Sequence, residues 1–328
     1  MNRKVSIAPM MDCTDRHDRY FLRLISKNTM LYTEMIVANA IIRGDKNFLL
    51  NFNNLEKPLA LQIGGSNPKE LSECAKIAEN FGYDEINLNL GCPSKKVQKN
   101  KFGACLMKEP SLVGDCVSEM KNACGLPITI KTRIGYDDIE DYEYLKKFIS
   151  VINKAGSNTF IIHARRAILN KLTPKQNLNI PPLNYNFVYD IKKDFNKATV
   201  ILNGGIDSIV KIKTHLMKVD GVMIGRAAYH SPYFLADIEK EIFNNKNILT
   251  RSEIMEHMIP YIQEEIKKGT RINQIMRHTI GLFHGQKGSS YWKRYLSENM
   301  CIREADLQKV NHIMDHIKNS SKTISLGR

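Results

Sequence analysis

The chain has 328 residues, 43% hydrophobic and 25% charged, an ordinary balance for a globular protein and long for one compact domain. No apolar run approaches the length of a membrane span, and the opening MNRKVSIAPMMDCTD has neither an apolar core nor a small-residue cleavage site. No secretory signal is therefore expected, and the cytoplasm is the expected address. The formal net charge of +14 is densest toward the C terminus, where residues 240–328 carry 15 Lys and Arg against 9 Asp and Glu, a balance that suits a polyanionic partner.

Strands are predicted at residues 5–8, 31–36, 59–63, 85–90, 128–133, 159–163, 199–202 and 221–224, each a short β-rich apolar run. Helical periodicity fills many of the gaps, over 68–81, 111–124, 141–154, 186–195 and 208–217. Crossovers of that length imply parallel pairing, and eight such units in residues 1–240 match a (β/α)8 TIM barrel. A doubly wound open sheet is the competing fold, but no GxGxxG follows the first strand. One long polar loop, 165–184, interrupts the pattern.

Past residue 240 the strand signals stop. Thr250 or Ser252 can cap a helix near 253–268, which Gly269 closes. Further helical patterns over 271–283, 289–300 and 304–318 predict a small all-α domain at 241–320, with a tail at 321–328. The seven cysteines (Cys13, Cys74, Cys92, Cys105, Cys116, Cys124, Cys301) are scattered and never spaced as CxxC. That argues against a disulfide framework and against a cysteine-built zinc site, and no metal is expected.

In such a barrel the active site lies at the C-terminal ends of the strands. The residues that fall there are Ala8-Pro9-Met10-Met11 after the first strand, Gln62 on the third, and Asn87-Leu88-Asn89-Leu90-Gly91-Cys92-Pro93 on the fourth. The fifth carries Lys131 and Arg133, and the sixth ends at His163-Ala164-Arg165. The seventh ends at Asn203-Gly204-Gly205, and the eighth at Gly225-Arg226. Glycines after the last two strands free backbone N–H groups for a phosphate, and Arg226 adds a forked cationic donor; tight turns alone would also use glycine.

Lys131 in the interior needs an anion or a task. It could form a Schiff base, as in an aldolase, or stabilise the negative charge of a reduced flavin ring. His163 gains weight from Lys131 and Gln62, since a lone interior histidine is more often a core residue. Cys92, held in a turn, is either an acid or a structural thiol.

The set APMMDCTD, LQIGG, INLNLGCPSKKV, IKTRIG, IIHAR, NGGI and GVMIGRAAY resembles the tRNA-dihydrouridine synthases along essentially the whole chain. NxGCPxxxV, at residues 89–97, is the most specific motif. The segments LTPKQN (172–177), IPPLNY (180–185), Arg277-His278, GLFHGQ (281–286) and YLSEN (295–299) are similar to the A-type bacterial branch.

The resemblance implies an FMN enzyme that uses NADPH to reduce the C5–C6 double bond of uridine in the tRNA D-loop, at positions 20 and 20a in the A-type. It implies FMN contacts from Pro9, Met10, Met11, Gln62, Lys131, His163, Asn203, Gly204, Gly205, Gly225 and Arg226. Cys92 would be the proton donor and Asn89 would line the uracil pocket. Arg165, Lys175, Leu178, Ser290, Lys293 and Arg294 are the implied tRNA contacts, with Ser290 departing from the arginine common in relatives. The expected partner is tRNA, with no membrane and no protein partner, and a monomer is expected. Over 271–303 six basic residues face one acid, Glu298, with Tyr291, Trp292 and Tyr295 interleaved, a surface suited to an RNA backbone or a solvated face over an aromatic core.

Overall fold

The computed structural model describes residues 2–287 and 289–299 and divides into two compact units. The first comprises Met1–Thr14 and Thr29–Gly225. The second comprises Asp15–Asn28 and the described part of Arg226–Arg328.

The first unit is the barrel. Among the described residues its strands are β1 (Val5–Ile7), β2 (Leu31–Tyr32), β3 (Ile36–Val37), β4 (Leu59–Gly64), β5 (Glu85–Leu90), β6 (Ile128–Arg133), β7 (Thr159–His163), β8 (Thr199–Asn203) and β9 (Gly221–Ile224). All pair in parallel, in the order β1-β9-β8-β7-β6-β5-β4-β2, with β3 also on β4. A parallel bridge between Ser6 and Met30, with Ile7 N–H donating to Met30 O at 2.9 Å, brings the two ends of this series together. The result is a (β/α)8 barrel. Its strands read as continuous apolar runs because helices cover one face and the lumen the other.

The second predicted strand, 31–36, is two pieces. Leu31 stands opposite Leu59 but Ile36 opposite Ile63, so five steps on one side match four on β4. That extra residue is a β-bulge. The Thr33 hydroxyl occupies the gap and accepts the Gln62 N–H at 3.0 Å in place of a ladder carbonyl.

Alternate residues point into the lumen. Ala8, Met30, Tyr32, Ala60, Ile161, Ile201 and Met223 make one apolar cluster there, against which Met10 packs. The side formed by β4, β5 and β6 is polar instead: Gln62, Glu85, Asn87, Asn89, Thr129 and Lys131 stand on matched registers. This asymmetry positions the site.

The second unit is helical: Arg16–Ile25, Arg226–His230, Phe234–Phe243, Arg251–Lys267, Ile272–Met276, the 3-10 turn Arg277–Gly281, and Ser289–Asn299. Thr250 is the N-cap of the long helix, in a capping box with Glu253. The compact units thus differ from the linear division at 240. Helix Phe234–Phe243 spans that position, and its Glu239 accepts from Ser26 Oγ at 2.6 Å and Asn28 Nδ2 at 2.8 Å.

Helix Arg16–Ile25 has no counterpart among the predicted elements. Its charges hide its apolar face, yet most find partners within the unit: Arg16 pairs with Glu265 at 2.6 Å, and His17 Nδ1 meets Tyr261 OH at 2.7 Å. The predicted helix 271–283 is a short α-helix followed by a 3-10 turn. The predicted helix 304–318 and tail 321–328 lie outside the described residues. No described helix is long and apolar enough to cross a membrane.

Candidate active site

Register decides which side chains meet at the mouth. Gln62 stands opposite Asn87, Asn89 opposite Lys131, and His163 between Arg133 and Asn203. Lys131 Nζ donates to Asn203 Oδ1 at 3.2 Å, while Asn203 Nδ2 donates to the Met223 carbonyl at 2.8 Å. Burial, followed by the nearby Arg133 charge, lowers the Lys131 pKa to about 7. Among the described residues the acceptor of this lysine is a neutral amide, so its environment favours an added anion.

Asn89 closes the strand with an Asx turn. Its Oδ1 accepts the N–H of Gly91 at 3.1 Å and of Cys92 at 3.0 Å. The loop carrying Cys92 is fastened again from two sides. Arg133 Nε donates to the Gly91 carbonyl at 2.9 Å, and Ala104 N–H donates to the Cys92 carbonyl at 3.0 Å. The Cys92 thiol is half-buried, and burial pushes its pKa up against the opposing pull of the Ser94 backbone, Arg133 and Lys131. It is therefore held as a protonated thiol near neutral pH, the state required of an acid.

Gly204 and Gly205, at the end of β8, both have positive φ, +119° and +70°. Tyr185 OH donates to the Gly204 carbonyl at 3.0 Å, and Leu183 and Tyr185 line the outer side of this turn. Gly225 lies close to Met10 and Ala8 at the adjoining strand end. Pro9 and Met10 are half-buried and Met11 is exposed; a turn formed by Thr14 N–H on Met10 O at 3.0 Å shapes this segment.

Gln62, Asn89, Cys92, Lys131, His163, Asn203, Gly204, Gly205, Gly225 and Met10 thus gather at one end of one barrel. Arg226 opens helix Arg226–His230 of the second unit. Arg165 is half-buried and braces its own loop, donating to the carbonyls of Asn179 (3.2 Å) and Pro181. Lys175 is exposed on that loop and Leu178 half-buried in a 3-10 turn. Ser290, Lys293 and Arg294 are exposed on helix Ser289–Asn299. Of the interleaved aromatics only Tyr291 shares that exposure. Trp292 and Tyr295 are buried, with Trp292 Nε1 donating to the Thr279 carbonyl at 3.0 Å.

Sequence reasoning left four residues without a role. Asn87, Thr129 and Glu85 extend the polar side of the lumen downward, and buried Arg133 ties Gly91 to the carbonyls of Arg166 (3.1 Å) and Asn177 (3.3 Å). Asn87 was noted only as part of a strand end; the spacing of Glu85, Asn87 and Asn89 along one strand is the signal that joins them on one face.

A family model described as Dihydrouridine synthase (Dus) matches residues 6–319. Relatives named tRNA-dihydrouridine(20/20a) synthase include one from Vibrio parahaemolyticus, 53% identical over 298 residues that cover 90% of this chain and 91% of the relative. One from Synechocystis is 50% identical, covering 92% and 90%. One from Escherichia coli K12 is 49% identical, covering 95% and 90%.

Proposed function

The chain belongs to the dihydrouridine synthase family, and from that premise we propose that it reduces the C5–C6 double bond of uridine at positions 20 and 20a of tRNA, using FMN and NADPH. The single observation that carries the chemistry is the half-buried Cys92 thiol, fastened at the mouth beside Asn89 and within the influence of Lys131 and Arg133.

The residues present suit FMN. A buried lysine with a pKa near 7 favours an anionic ring edge. The positive-φ pair Gly204-Gly205 gives the backbone a conformation in which N–H groups can face a phosphate. Gln62, Lys131, His163 and Asn203 would hold the ring, with Pro9, Met10 and Met11 along one edge. Gly204, Gly205, Gly225 and Arg226 would hold the phosphate. FMN, reduced by NADPH and bound there, supplies the two electrons and the hydrogen that adds to C6.

Addition at C6 places negative charge on the enolate that runs from C5 to O4. A proton must then reach C5. The Cys92 S–H bond breaks as the C5–H bond forms, and the sulfur keeps the electron pair as a thiolate. Arg133 and Lys131 favour that thiolate electrostatically, and water returns its proton. Asn89 keeps the loop in place and lines the base pocket. A base in a folded tRNA must leave its stack to reach a barrel mouth, so affinity must come from phosphates and loop shape. Lys175 on the barrel loop, and Ser290, Lys293 and Arg294 on the second unit, are the proposed contacts, with Arg165 and Leu178 shaping the loop.

The test is a reductase assay on unmodified tRNA with NADPH, with the product mapped by position. Dihydrouridine at 20 and 20a is expected. Equal turnover of free uridine, or none on tRNA, would contradict the proposal.

A further inference from the structure

A directed chain of hydrogen bonds runs through the barrel lumen from its floor to the Cys92 loop. At the floor, fully buried Glu85 accepts from the Arg3 guanidinium, from Tyr32 OH at 2.9 Å and from the Thr129 hydroxyl at 2.5 Å. Thr129 Oγ1 accepts from Asn87 Nδ2 at 2.9 Å, and Asn87 Oδ1 accepts from Gln62 Nε2 at 2.8 Å. Gln62 Oε1 accepts from Asn89 Nδ2 at 2.9 Å, which turns Asn89 Oδ1 toward the N–H groups of Gly91 and Cys92.

Each carboxamide has one donating and one accepting end, so its orientation follows from its neighbour's. Both ends of this chain are irreversible: a carboxylate only accepts, and a backbone N–H only donates. Reversing any one amide would set like against like in a buried site and leave polar groups there unsatisfied. The polarity is thus single-valued from Glu85 to Cys92, and among the described residues the Thr129 hydroxyl joins the carboxylate to the amides.

We infer that Glu85 and Thr129 are positioning residues, which set the amide direction of Gln62 and Asn89 and through them hold the Cys92 loop. Neither reaches the mouth; both act through others. The effect on turnover rests on the proposed role of Cys92, but the effect on the loop does not.

The two are separated by measuring alkylation of the apoprotein with iodoacetamide, with each cysteine followed by peptide mapping. Thr129→Val, nearly isosteric, removes the hydroxyl; Thr129→Ser keeps it. T129V is expected to accelerate alkylation at Cys92 several-fold and leave half-buried Cys124, the C-cap of helix Pro110–Ala123, unchanged. T129S is expected to match the wild type. On tRNA, T129V should lower kcat on the order of 10- to 100-fold with KM nearly unchanged, as a displaced group does. If T129V does not fold, Glu85→Gln, which places a donor at the floor, should give the same selective acceleration. Unchanged Cys92 alkylation, equal acceleration at Cys92 and Cys124, or a T129S variant as impaired as T129V would each overturn the inference. A Cys92→Ala enzyme of full activity would instead overturn the proton-donor reading and leave this one standing.

Discussion

A methyl group placed on Gly204 would stand 2.8 Å from Cδ2 of His163, with Leu183 Cδ2 only 2.9 Å away on another side. Histidine and glycine are neighbours across β7 and β8, and the turn passes so close to the ring that only hydrogen fits.

Gly204→Ala should therefore lower stability by about 1–3 kcal/mol, since it combines a positive φ with this crowding. FMN binding should weaken with it. Gly225→Ala provides the contrast, because its nearest neighbours, Met10 Sδ and Ala8 Cβ, would lie at 3.5 and 3.7 Å, ordinary contacts. Thermal unfolding of the two apoproteins tests this, and equal losses would contradict it.

Lys131 should link FMN binding to pH. Its pKa is lowered to about 7, chiefly by burial, and an anion beside it would raise it again. Above pH 7 the free protein holds this lysine largely neutral and the complex holds it charged, so binding takes up a proton and weakens as pH rises. Calorimetry at about pH 8 in buffers of different ionisation enthalpy should detect uptake of up to roughly one proton. Lys131→Met should abolish the uptake and weaken binding roughly 10- to 100-fold. Uptake that persists in K131M would refute the assignment.

The barrel was legible because its strands are short apolar runs closed by chemically odd residues; β5, β6, β7 and β9 have the predicted limits. Gln62, Asn89, Lys131 and Asn203 were legible for the same reason, as polar side chains that end apolar strands. The β2–β3 bulge was not, because it arises from the Thr33 hydroxyl replacing a ladder carbonyl, a contact with no local pattern. Arg133 was read only as a strand end, since its role depends on three carbonyls from distant loops. Helix Arg16–Ile25 escaped because its charges are satisfied by residues more than 200 positions away, such as Tyr261 and Glu265.

The tRNA surface should separate from the core on one helix. Lys293→Ala and Arg294→Ala, both exposed, should weaken tRNA binding and each reduce the slope of log K against log salt by about 1. Trp292→Ala, which empties a buried site, should instead cost about 3–5 kcal/mol of stability. Filter binding at several salt concentrations, with unfolding curves, checks both. An unchanged slope in K293A and R294A would remove this face from the interface.

The most direct test of the account is turnover by Cys92→Ala, measured with reduced flavin and unmodified tRNA in a single-turnover assay. Loss of a positioned acid predicts a rate lower by roughly 10²–10⁴-fold, with flavin absorbance and tRNA affinity retained. A wild-type rate on native tRNA would show that the proton reaches C5 from elsewhere.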